Sequence, residues 1–297
     1  MKFILQLSLI FLASGNPVSL LANDTAVHFE YYQRVIFLHV QVNNSDSLLF
    51  LFDTGANASA IDAKTADKLK LPRLRVDTVE GSAGNLQVQM VNVSSVKAGN
   101  STVKNLVFTK QDLSFSLAPP GKHIDGILGT DFLRHFVITL DFKKQQISFS
   151  EHADNDSESI PFEMDNGIPR IKATINNTFH TFLRYDSGSS LFATDSTYIN
   201  VTTDDWIAIR QKDTTLKPSR YFRGVGTGGE LKLAVVSIKS FSFNGHQIQN
   251  AFIIVQPKLG YFARPDAVGF LGNNLLEKYD KVVVDFPANI IYLLRRP

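Results

Sequence analysis

The chain has 297 residues, 44% hydrophobic and 20% charged, with 18 Gly, 11 Pro and no Cys. That balance excludes a disordered chain, a collagen-like repeat and a disulfide-stapled miniprotein, and the length suits two domains of ordinary size. With 30 basic and 28 acidic residues the net charge is +2, so the sequence carries no electrostatic footprint for nucleic acid or an anionic membrane.

The elements follow in chain order. Lys2 precedes an apolar run over residues 3–13, which is too short and, with Gln6, too polar to span a bilayer. It reads as a secretory signal covering residues 1–22, so the chain is expected to be exported, to a bacterial periplasm or beyond the cell. No later segment is long and apolar enough to be an integral membrane span. Residues 37–42 alternate apolar and polar as a half-buried strand does, and 48–52 (LLFLF) read as a strand buried on both faces. Residues 59–71 begin with Ser59 and end before Pro72, which predicts a helix over that span. Residues 86–91 read as a further strand, and 130–136 as about two helical turns. Residues 151–159 are polar and acidic and form a linker. Beyond it, residues 170–175 and 231–235 alternate as strands, and 273–279 make a second short helix. The fold class is all-β and bilobal with a few short helices, one domain over 23–150 and the other over 160–297.

The two domains repeat one another. A shift of 133 residues lays residues 27–62 on 160–195 without a gap, so that Asp53 meets Asp186, Gly55 meets Gly188 and Asp62 meets Asp195. The ends of the halves agree as well, residues 126–149 (GILGTDFLRHF…) against 269–293 (GFLGNNLLEKY…). Two blocks in the same order at similar spacing are the mark of duplication.

The chemistry sits in two triplets, Asp53-Thr54-Gly55 and Asp186-Ser187-Gly188, each directly after an apolar strand. A carboxylate ending a buried strand is a costly placement unless it is functional or hydrogen-bonded. The adjacent glycine lets backbone N–H groups come close to it. The hydroxyls of Thr54 and Ser187 can tie the two loops together. Two carboxyls brought within hydrogen-bonding distance cannot both ionise and share one proton. Such a pair can deprotonate a water with one member while the other protonates the attacked carbonyl.

The pattern resembles the aspartic proteases of the retropepsin and pepsin type. Residues 53–56 (DTGA) look like the retropepsin form and 186–189 (DSGS) are closer to the pepsin form. Ile127-Leu128-Gly129 and Phe270-Leu271-Gly272 match the family's downstream apolar-apolar-Gly element in both halves. The resemblance covers essentially the whole mature chain and implies a single-chain, two-lobed aspartic endopeptidase of bacterial type. By it, Asp53 and Asp186 are the catalytic pair, supported by Thr54, Gly55, Ala56, Ser187, Gly188 and Ser189. It also implies two flap hairpins over an extended peptide or protein substrate. Gly81, Ser82, Ala83 and Gly84 form one candidate tip, and Gly224, Val225, Gly226 and Thr227 the other. The chain is expected to act as a monomer without cofactor. Its alternatives are a catalytically inactive peptide-binding protein of the same fold and a homodimer of first-half sites.

Three departures bear on the site. Neither flap candidate contains Tyr. Arg184 stands two residues before Asp186, where the first half has Leu51, and could depress the pKa of Asp186 or mark a degenerate second site. Ala56 stands where the second half has Ser189; a hydroxyl there favours a charged carboxylate, so Asp186 is expected to be the more acidic partner and Asp53 to hold the shared proton. Other constellations are excluded. The Gly-rich run 224–229 lacks the Lys-Ser/Thr of a phosphate loop, and the seven His show no metal-ligand spacing, so no metal site is expected. No Gly-x-Ser-x-Gly occurs, and without Cys no thiol nucleophile exists. Asp141 and Asp285, repeated between the halves, read as strand caps, and Asp62 as part of a helix start. Eight Asn-x-Ser/Thr sequons occur, one at Asn57, where a glycan would block Asp53; they read as Asn-rich usage in a bacterium that leaves them bare.

Overall fold

A computed structural model of the chain describes residues 23–151, 158–190 and 196–294. The expected signal over 1–22, most of the linker and Asp195 lie outside the described residues.

The repeat in the sequence is a repeat in topology. One eight-stranded sheet takes all its strands from Glu30–Tyr32 through Gly126–Leu128, and a second takes all of its strands from Glu163–Asp165 through Gly269–Leu271. Their strands follow one another in the same spatial order, and a side pairing recurs in both, Val35–Val42 with Asn85–Ala98 and Ile168–Ile175 with Gly229–Phe243. In each sheet the strand that ends at the key aspartate, Leu48–Phe52 or Phe179–Tyr185, runs parallel to the short strand of the apolar-apolar-Gly element. Every residue of Leu48–Phe52 is buried, as its unbroken apolar run requires.

A third, six-stranded sheet belongs to both halves. Its centre is the antiparallel pair Val137–Asp141 and Lys281–Asp285, in register about Thr139 opposite Val283. Gln146–Ser150 and Ile290–Leu294 flank that pair, and the strands Asn23–His28 and Glu158–Pro161 close the edges. Residues 158–159, read as linker from their polarity, are therefore already strand, paired with Leu293 and Tyr292. Asp141 and Asp285 accept from the N–H of Lys144 and Ala288 in the two hairpin turns, as caps do. The main apolar core runs without a break through both halves, from Phe29, Phe50 and Phe136 to Tyr185, Phe241 and Leu293.

Four α-helices punctuate the sheets: α1 (Ala63–Lys68), α2 (Thr130–Leu133), α3 (Thr203–Lys212) and α4 (Asn273–Leu276). The helix expected over 59–71 is half as long. Residues Ala60–Asp62 are drawn into the sheet by pairing with Thr109–Gln111 and with the strand Gly126–Leu128, so Asp62 becomes the N-cap and accepts from Lys64 and Thr65. No helix among the described residues is long and apolar enough to cross a membrane.

Candidate active site

Asp53 and Asp186 each follow the last residue of a strand, and each is fixed there by one main-chain bond. The Asp53 N–H donates to Leu128 O at 3.0 Å and the Asp186 N–H to Leu271 O at 2.9 Å. The apolar-apolar-Gly elements therefore act as backstops for the aspartate loops.

The loops clasp one another through their hydroxyls. Thr54 Oγ1 donates to Tyr185 O at 2.7 Å and accepts from the Ser187 N–H at 3.0 Å. Ser187 Oγ donates to Phe52 O at 3.0 Å and accepts from the Thr54 N–H at 3.0 Å. Thr54 and Ser187 are fully buried, so these four bonds are made away from water, where an unpaired group is expensive. Asn273 at the start of α4 extends the clasp, donating to Ser187 O and Arg34 O and accepting from the Tyr185 hydroxyl.

The glycines lie flat against the opposite carboxyl. A Cβ on Gly55 would stand 2.5 Å from Asp186 Cγ, and one on Gly188 would stand 2.4 Å from Asp53 Cγ. This close approach is why the third residue of each triplet carries no side chain. The two carboxyls hydrogen-bond to each other, and both keep partial solvent access although protein surrounds them.

Desolvation raises both pKa values above the ordinary aspartate value, that of Asp186 well above it, where the negative charge of Asp53 adds to the effect. Backbone N–H groups of Gly55, Gly188 and Ala56 oppose the shift at Asp53, while Gly188 and Ser189 oppose it at Asp186. The upward shift is the larger at Asp186, whereas the hydroxyl of Ser189 pointed to Asp53 as the holder of the shared proton. Burial is the first cause at both groups, and at Asp186 the charge of Asp53 comes next, ahead of the main-chain N–H groups of Gly188 and Ser189.

Arg184 is buried but leaves Asp186 to its own partners. Its Nε and Nη2 meet Asp165 at 2.9 and 2.7 Å, and its guanidinium lies 3.9 Å from the centroid of the Tyr261 ring. Asp165 and Tyr261 escape a search for motifs; the 133-residue shift, which sets Asp165 on Tyr32, was the one signal for the first of them.

The hairpin candidates lie at real hairpin tips. Residues 81–84 join Arg73–Glu80 to Asn85–Ala98, and residues 227–228 join Arg220–Gly226 to Gly229–Phe243, which leaves Gly224, Val225 and Gly226 in the strand before the turn. The tips touch, the Ala83 N–H donating to Thr227 O at 3.0 Å. The first tip also reaches the 3-10 turn Gly260–Ala263, whose Tyr261 N–H donates to Gly81 O at 3.0 Å. Ala83 is buried among Tyr198, Leu231, Leu233, Val235 and Ile254. A groove of about 530 Å³ beside Lys172, His180 and Phe243 is lined by neither aspartate.

Fold and site together define a two-lobed all-β protein built around a clasped pair of half-buried carboxyls. Residues 38–132, which hold Asp53–Gly55, the first hairpin tip and Ile127-Leu128-Gly129, match the family model described as aspartyl protease. The match supports a protease of that family. No curated protein matches the chain.

Proposed function

We propose that the chain is an aspartic endopeptidase in which Asp53 and Asp186 act on one water. The observation that carries this reading is the pair itself: two carboxyls in contact, carried by loops that bond reciprocally, on residues that stay partly exposed. Asp53 takes a proton from the water as its oxygen attacks the peptide carbonyl, while Asp186 gives its proton to the carbonyl oxygen. The resulting gem-diol collapses with cleavage of the C–N bond, and the proton held by Asp53 passes to the departing nitrogen. The remaining Asp186 oxygen is left ionised by this cycle, and reloading from the diol restores the starting state. Main-chain pairing of an extended substrate with the hairpins supplies affinity, and Gly81–Gly84 with Gly224–Thr227 close over it.

The pairing of Arg184 with Asp165 supports an intact second loop over a decayed, binding-only one. Export belongs to the same reading, as does action as a monomer, since one chain contributes both carboxyls. The test is cleavage of a mixed peptide library between about pH 3 and 7 by the parent, Asp53→Ala and Asp186→Ala. Loss in both variants is expected; activity that survives Asp186→Ala and rises steeply with protein concentration would replace the reading with a homodimer of first-half sites. N-terminal sequencing of protein from cell fractions checks removal of residues 1–22.

A further inference from the structure

The two halves differ most sharply beside the aspartates. In the first, Leu51 lies in an apolar cluster with Val35, Phe37, Leu49, Leu113 and Ile124, with Tyr32 and Ile127 packed against it. At the equivalent register of the second half, Arg184 replaces Leu51 and Asp165 replaces Tyr32. Leu51 pairs with Phe37 and Ile127, and Arg184 pairs with Arg170 and Phe270. Arg170 turns away to Glu163 at 3.0 Å and lies over the Phe182 ring, which relieves the like-charge opposition across the strands.

The Arg184–Asp165 pair is fixed but incompletely used. Arg184 Nε and Nη2 both bond Asp165 Oδ2, and Nη2 also meets the Asp165 carbonyl at 3.5 Å. Arg184 Nη1 and Asp165 Oδ1 have no hydrogen-bond partner among the described residues, and neither is sealed from solvent. Arg264, 5.9 Å from the same Tyr261 ring, is taken up by Asp266 and Glu80. The pair also has a defined place. Arg184 is two residues from Asp186, it stacks on Tyr261, and the Tyr261 N–H holds Gly81 O at the first hairpin tip. It therefore stands in the wall that connects the reacting carboxyls to the hairpin.

We infer that this wall is a side-chain pocket selecting Asn or Gln in the polypeptide substrate, opposite an apolar pocket formed around Leu51 and Ile127; the inference rests on the protease reading above. A neutral ion pair favours neither charge, but it leaves the two N–H groups of Nη1 as donors and Oδ1 as an acceptor. A primary carboxamide is the side chain that answers both, its oxygen accepting from Nη1 and its NH₂ donating to Oδ1. A carboxylate would satisfy Nη1 and repel Oδ1, an ammonium the reverse, and an apolar side chain would leave both groups desolvated and unpaired.

The experiment separates binding from turnover. Full-length Asp53→Asn protein selects peptides from a random library by affinity, while the parent is assayed on the same library for cut sites. Enrichment of Gln and Asn by about tenfold or more over Leu and Glu at one position, with apolar residues enriched at another, is expected. In the Asp53→Asn background the double change Asp165→Tyr and Arg184→Leu, which copies the first half, should convert the amide position to an apolar one. Arg184→Lys, which keeps the charge but loses the planar fork, should weaken the amide preference without the double change's effect on packing. Enrichment of Glu, apolar preference at both positions, no peptide bound, or a preference unmoved by the double change would each overturn the inference. Amide-selective binding with no cleavage by the parent would instead sink the protease reading and leave the pocket standing.

Discussion

Gly188→Ala tests the geometry of the carboxyl pair more directly than removal of either carboxyl. The new methyl carbon would lie 2.4 Å from Asp53 Cγ and 2.5 Å from its Oδ2, whereas ordinary contact begins at 3.4 Å. Something must therefore move by about 1 Å. Asp53 cannot swing aside freely, because the N–H groups of Gly55 and Ala56 and the carboxyl of Asp186 hold it. The Gly188 loop cannot retreat without breaking the bonds of Ser187 to Thr54 and Phe52. A misplacement of about 1 Å at a reacting group costs about 10²-fold in rate, or about 2.7 kcal/mol of barrier, and overpacking costs about 1–3 kcal/mol of stability. The assay is kcat/KM on a fluorogenic peptide, with guanidinium unfolding in parallel to show that the variant is folded. Gly55→Ala, whose methyl would meet Asp186 Cγ at 2.5 Å, should lose activity to a similar extent. A folded Gly188→Ala protein within threefold of the parent would refute the reasoning, since the carboxyl would then have room that the structure denies it.

Three further outcomes follow from the same geometry. Thr54→Val deletes a buried hydroxyl that both donates and accepts across the halves, so unfolding should become easier by about 2–4 kcal/mol, read as a lower denaturant midpoint. Below about pH 4 Asp186 is protonated in both folded and unfolded chains. As pH rises towards its elevated native pKa the unfolded chain alone gives up the proton, so this residue's share of stability is lost with rising pH. Asp186→Asn should therefore gain stability relative to the parent between pH 4 and neutrality, and a difference that does not change with pH would contradict the assignment. Ala83→Asp would place a carboxylate among Leu231, Leu233 and Ile254 and should free the hairpin tip, seen as faster amide hydrogen exchange over residues 81–84.

The sequence is most legible where the duplication doubles each signal. Asp53 and Asp186, the glycines after them and the apolar-apolar-Gly elements could be found because each has a counterpart at a fixed shift, and the structure sets them in equivalent positions. The shared six-stranded sheet was not legible. The run Val137–Asp141 is buried on both faces apart from Thr139, and nothing in it tells that the partner is a strand some 140 residues further on. Helix α3 went unread because Ile209 is its one buried residue, so no apolar stripe announces it, although Thr202 and Asp205 form a capping box. The extent of α1 failed for the opposite reason: sheet pairing outranked local propensity at residues 60–62.

The sheet that spans the halves also governs when the carboxyl pair can come into being. Its central strands are Val137–Asp141 and Lys281–Asp285, and its first edge strand, Asn23–His28, waits for Gln146–Ser150. Such distant pairings close slowly. Asp186 moreover leans on Leu271, near the end of the chain. During synthesis Asp53 is present for a little over two hundred residues before its partner's support at Leu271 exists. A nascent or half-folded chain thus holds its two aspartates apart, and the clasped pair forms only once both halves have folded.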